Sequence, residues 1–323
     1  MLREDRMRAH IAALTVVAVG LLTSATATAA AEPTSPATPK NPSRTTPQKP
    51  NDGGGNTDPK VPLFLTTTLD GKSEVETPGD PDGGATGAIR VLGNRVTFAF
   101  AWKGIGAPTA GHVHLGDRGV NGDVAVPLFT TAMPATVTAA AGAVTVDDPK
   151  TADALRANSS GFYLNLHNEE FPKGALRGQL SKATNDVDVL RLLEGGGEQA
   201  QLSGYQEVPE AGGPAVGDPT ARSVAFLRPQ GDRVGFGLAW LGALPTAAHI
   251  HKGDIGANGP IAVDLVKTPI PMSVFAVSGT SDAVPADTVE EIKKSPEKFY
   301  ANLHTEQFPG GAIRGQMADV AAR

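Results

Sequence analysis

Val96-Thr97-Phe98-Ala99-Phe100-Ala101-Trp102 alternates large and small residues without a break, and Val234-Gly235-Phe236-Gly237-Leu238-Ala239-Trp240 repeats the alternation. Period two places every large residue on one face, as in a strand with that face on a core. Similar short runs follow at 122–129, 161–167 and 174–180, divided by Gly, Asn, Asp and Pro turns. Helix is scarce. Asp287-Thr288-Val289-Glu290 has the spacing of a capping box and predicts a short helix to about Lys294, with a counterpart at 149–157. Many short strands punctuated by turns predict an all-β sandwich or barrel.

The two alternating runs belong to a larger duplication. His112-Val113-His114 recurs as His249-Ile250-His251, 137 residues later. At the same offset, 162–167 (FYLNLH) returns as 299–304 (FYANLH), and 174–179 (GALRGQ) as 311–316 (GAIRGQ). A unit of about 120 residues is domain-sized rather than a solenoid repeat. The expected architecture is two tandem antiparallel β-sandwich domains, 61–182 and 198–323, each folding by itself. A connector at 183–197 ends in Gly195-Gly196-Gly197.

The flanks carry an address and a spacer. Arg3, Arg6 and Arg8 precede an apolar run from Ile11 to Leu22, then Ala27-Thr28-Ala29 and Ala29-Ala30-Ala31. That order predicts a signal peptide over 1–31, cleaved on export, because the run is shorter than the ~20 apolar residues of a spanning helix. Residues 32–60 are dominated by Pro, Thr, Ser and Gly and read as a disordered linker. The expected location is extracellular, with no membrane span after cleavage.

Composition excludes several classes of function. The chain has 323 residues, a formal net charge of −6 and no cysteine. An acidic chain is a poor match for nucleic acid. Without Cys there is no disulfide scaffold, thiolate metal site or cysteine nucleophile. No Gly-x-Ser-x-Gly, P-loop or dinucleotide motif occurs. Glu74 and Glu207 occupy matching positions, but neither has a second carboxylate at a repeated spacing, so no acid–base pair is expected.

Histidine placement is the informative feature. Six of the seven histidines fall in the repeated motifs, and the seventh, His10, leaves with the signal peptide. Residues i and i+2 of a strand point to one side, so His112 and His114 can converge on one atom, with His167 as a third ligand. His249, His251 and His304 form the equivalent set. Neutral imidazoles suit Zn, Cu, Ni or Fe, and the Irving–Williams order favours Cu(II). The competing reading is that all six are hydrogen-bonded core or turn residues. If metal binds, protons should compete below about pH 6.

The string Ala110–Gly116 (AGHVHLG), Asn121–Val124 (NGDV), the Tyr163–His167 strand and Gly174–Gln179 resembles the chordin-type (CHRD) domain, and both halves carry it. The resemblance implies an immunoglobulin-like or related β-sandwich, and a scaffold more than a function. The spacing Gly-x-x-His-x-His, a later His and then Gly-x-x-Arg is also similar to the copper half of copper/zinc superoxide dismutase. That likeness implies copper on each three-His set, with Arg177 and Arg314 guiding a small anion. The zinc cluster and the disulfide Cys of that enzyme have no counterpart here. For the two arginines the alternative is structural: an interstrand ion pair with Glu169, Glu170 or Glu306. Three functions stay open: a secreted, non-enzymatic copper-binding protein; an adhesive or protein-binding β-sandwich with structural histidines, its extracellular partner unknown; and a copper-dependent dismutase-like enzyme.

Overall fold

A computed structural model describes residues 58–185, 188 and 196–319. The signal peptide expected at 1–31 and nearly all of the linker expected at 32–60 lie outside the described residues, as does most of the 183–197 connector. The first half runs β1 (Leu63–Asp70), β2 (Gly84–Leu92), β3 (Arg95–Lys103), β4 (Ala110–Leu115), β5 (Val124–Phe129), β6 (Val137–Thr145), α1 (Pro149–Ala157), β7 (Phe162–His167), β8 (Leu176–Gln179) and β9 (Ser181–Lys182). The second half repeats it as β10 (Glu198–Ser203), β11 (Arg222–Gln230), β12 (Arg233–Leu241), β13 (Ala247–Lys252), β14 (Ile261–Val266), β15 (Val274–Thr280), α2 (Ala286–Lys294), β16 (Phe299–His304), β17 (Ile313–Gln316) and β18 (Ala318–Asp319). Among the described residues no helix is long and apolar enough to cross a membrane.

All pairing between these strands is antiparallel. In the first half the ladder order is β5-β4-β7-β8-β1-β2-β3-β6. The second half follows the same order, β14-β13-β16-β17-β10-β11-β12-β15. β8 meets β1 at Asp70 and Arg177, and β9 carries the same register on to Thr66–Ser181 and Leu65–Lys182, which links a β5-β4-β7-β8 layer to a β1-β2-β3-β6 layer. The rings of Phe98 and Phe100 on β3 meet Phe129 on β5 at 6.2 and 6.3 Å, across those layers. The large-residue face read from the sequence is this core: Phe98 and Phe100 are fully buried, and Trp102 and Trp240 are nearly so. The expected all-β tandem sandwich is therefore the fold.

The helices depart from expectation in one detail. Asp148 caps α1 by accepting from the Lys150 amide at 3.0 Å. The second helix starts at Ala286 behind Pro285, which makes no side-chain cap. Asp287 therefore sits inside the first turn, where its carboxylate accepts from Thr288 N and favours the positive helix end, rather than at the N-cap of a capping box.

The small-residue face has its own use. β6 pairs with β15 and joins the two halves in one ladder, with Val137 opposite Gly279, Ala141 opposite Ala276, and Gly142 opposite Val274. Ala99, Ala141 and Ala276 form a second buried cluster there. The register maps onto itself when the halves are exchanged by the 137-residue offset. So do two side-chain bonds: Thr136 Oγ1 donates to Leu265 O at 2.5 Å, and Ser273 Oγ to Leu128 O at 2.6 Å. The junction is thus isologous, like that of a two-fold dimer. It also has no room. A Cβ on Gly279 would lie 2.0 Å from Thr136 O. Gly279→Val is expected to lower the thermal midpoint by the equivalent of about 1–3 kcal/mol; a midpoint equal to wild type would show that this contact contributes nothing.

Candidate metal centre

β4 and β7 are neighbours, with Ala110 opposite His167, His112 opposite Asn165 and His114 opposite Tyr163. The pleat turns His112 and His114 to one side, and His167 reaches them from the end of its strand. One ligand nitrogen from each of His112, His114 and His167 lies within 4.8 Å of the other two, and His249, His251 and His304 repeat the arrangement. The six sequence-predicted ligands are thus gathered three by three, one set in each half.

Hydrogen bonds fix which nitrogen faces the centre. A backbone carbonyl only accepts, so His114 Nδ1 donates to Gly122 O at 3.0 Å and His167 Nδ1 donates to Pro172 O at 3.1 Å. That leaves both Nε2 atoms as lone pairs. His112 Nδ1 lies 3.1 Å from His167 Nε2 and so donates to it. In the second half His251 donates to Gly259 O, His304 to Pro309 O, and His249 Nδ1 to His304 Nε2 at 3.1 Å. His114 Nε2 and His251 Nε2 are buried and have no hydrogen-bond partner among the described residues. Bonds of about 2.0–2.1 Å from imidazole to a metal let ligands stand up to ~4.2 Å apart, so small side-chain adjustments would seat an ion. The donor set fits a nitrogen-preferring metal.

Burial, together with the neighbouring histidines, holds His112 and His249 at about 4, far below the ordinary imidazole value. Burial lowers the other four as well. All six are therefore neutral at pH 7, the form that binds metal. Proton competition accordingly begins lower than the pH 6 expected from an unperturbed imidazole.

Arg177 and Arg314 hold the loops that bond His114 and His251. The Arg177 guanidinium is 2% exposed and donates to Asp117 O, Val120 O and Asn121 Oδ1, not to Glu169 or Glu170. Its carbon lies 3.4 Å from the Tyr163 ring centroid, and that ring stacks on His114 at 4.9 Å. Gln179 fastens the same loop through Gly116 O. The loop then offers Gly122 O to His114. Gly122 is required, because a Cβ there would lie 1.5 Å from Leu115 O. Arg314, Tyr300, Gln316 and Gly259 repeat the device, with Arg314 bonded to Asp254 O, Ala257 O and Asn258 Oδ1 rather than to Glu306. The loop asparagines and glycines recur at the 137-residue offset, the signal that could have revealed them.

Beside each triad lies a cavity with a half-buried carboxyl group. About 380 Å³ is lined by Glu74, His114, Tyr163 and Asn165 in the first half, and about 180 Å³ by Glu207, His251, Tyr300 and Asn302 in the second. Asn165 Nδ2 donates to Glu74 Oε1 at 2.5 Å, and Asn302 Nδ2 to Glu207 Oε1 at 2.6 Å. Burial pushes both carboxyls up to about 7 from 4.5, against the opposing pull of those asparagines and of Arg177 or Arg314. Between pH 4.5 and 7 the folded chain keeps protons that the unfolded chain has released. These two groups therefore lower stability as pH rises through that window. Glu74→Gln with Glu207→Gln is expected to match wild type near pH 4.5 and to melt higher at pH 8. Equal melting temperatures at both pH values would place both carboxylates in water.

The sequence profile of the CHRD domain matches residues 65–180 and again 199–317, one match over each half and its three histidines. No curated protein sequence matches the chain.

Proposed function

Because the chain belongs to the CHRD-domain family, with one copy of the domain in each half, we propose that it is a secreted, non-enzymatic protein that holds one copper ion in each three-His group. The observation that carries this reading is the buried Nε2 of His114 and of His251, each unpartnered among the described residues and beside two more neutral imidazoles. Most buried side-chain nitrogens with a purely structural role are satisfied. When bound, copper would supply Lewis acidity and one-electron chemistry at that point. The chain's own part is to present three neutral imidazoles and to fix the direction of two of them through Gly122 O, Pro172 O and their counterparts.

The non-enzymatic reading is supported by Arg177 and Arg314, whose guanidiniums are spent on loop carbonyls and present no free cation to an incoming anion. Export is supported by the Arg3–Ala31 segment. The test is copper analysis of untagged, signal-free protein: two Cu(II) per chain at pH 7, still retained at pH 5.5. Less than one ion per chain would return the histidines to a structural role in a protein-binding module. Two ions with catalysed superoxide loss would favour the dismutase-like alternative.

A further inference from the structure

The two three-His groups differ at one place. His112 and His249 occupy the same register position, but His112 faces Pro127 across the β4–β5 ladder where His249 faces Asp264 across β13–β14. His249 Nε2 lies 3.6 Å from Asp264 Oδ1. On the first-half side the facing residue has no acceptor in its side chain. Resting on the three-His reading, we propose that Asp264 makes the second half the high-affinity metal site, so that the chain loads copper in order: second half first, first half after.

The argument follows the proton on His249. In the metal-free chain its Nδ1–H is given to His304 Nε2. A metal held by His249 Nδ1 would leave the ring's proton only one place, Nε2. There Asp264 stands ready to accept it in a charge-assisted bond. The carboxylate thus favours the metal-bound tautomer, orients the ring and makes it more electron-rich. Asp264 is steadied in turn by Lys267, 3.9 Å from its other oxygen, and Lys267 keeps a closer partner in Asp282 at 2.6 Å. The first half has a carboxylate of its own nearby, Asp123, where the second half has Pro260. Asp123 is exposed and acts on His114 only through space, and the Nδ1–H of His114 is already held by Gly122 O. It cannot replace a proton acceptor on His112.

The experiment compares two full-length chains, each with one triad disabled. His112→Ala with His114→Ala leaves the second site, and His249→Ala with His251→Ala leaves the first. Competitive Cu(II) titration at pH 7 should give the second site a Kd about 10–100-fold lower. Asp264→Ala added to the chain that keeps the second site should bring its Kd to within about threefold of the first. The Asp264 side chain is 43% exposed, so truncation leaves no buried hole. Pro127→Asp should tighten the first site. Equal affinities, the reverse order, or an Asp264→Ala chain that keeps its advantage would overturn the proposal while leaving the three-His reading in place. Failure of both single-triad chains to bind would overturn the two together.

Discussion

Trp102→Ala and Trp240→Ala are each expected to cost about 3–5 kcal/mol of folding stability, by loss of buried area and by the hole left behind. Both indoles are nearly fully buried at the ends of the alternating strands, Trp102 opposite Ala85 and Trp240 opposite Ser223. Ala and Ser are too small to move into the vacated space. Neither tryptophan belongs to a triad, so the damage should appear in denaturant and thermal unfolding, while copper stoichiometry below the transition stays at the wild-type value. An unchanged melting temperature would put the large-residue face on solvent and contradict the core.

The second large effect is the loss of one metal ion. His112→Ala with His114→Ala should lower copper from two ions per chain to one, and His249→Ala with His251→Ala should do the same. Combining both pairs should abolish stoichiometric binding. Each triad is complete within its own half, so no ligand is shared. A single His167 or His304 left behind is an isolated imidazole, and no Cys offers a rival ligand. The variants should keep their strands, because the six histidines are only half-buried and Val113 and Ile250 between them fill the core. Two ions remaining in either double variant would refute the ligand assignment.

Much of this was legible in the sequence, for a definite reason. Strand alternation and an exact 137-residue offset are regularities along the chain, so the β-sandwich and both triads could be read before any contact was known. The junction could not. The alternation Thr97-Ala99-Ala101 reads as an outer face of small residues, yet Ala99 is fully buried, because β6 of one half pairs with β15 of the other. The partners of Arg177 were missed because a charged group is expected to seek charges, whereas this one is enclosed by carbonyl oxygens. Asp264 escaped notice because it breaks the repeat: a residue present in one half only gives no periodic signal. The capping box at Asp287 failed because Pro285 starts the helix earlier.

The self-matching junction also sets the order in which the molecule can be completed. β6 ends at Thr145 and its partner β15 runs from Val274 to Thr280, so their ladder cannot close until most of the second half has been reached. Contacts so distant along the chain form late. Until then β6 is an unguarded sheet edge, open to the β6 or β15 of any other copy. Because the same surface serves both sides, two chains that meet at this stage can exchange halves and make every native contact between molecules instead of within one. Refolding at high protein concentration should therefore yield interlocked pairs alongside monomers, with dilution favouring the monomer, where the tether keeps the correct partner close.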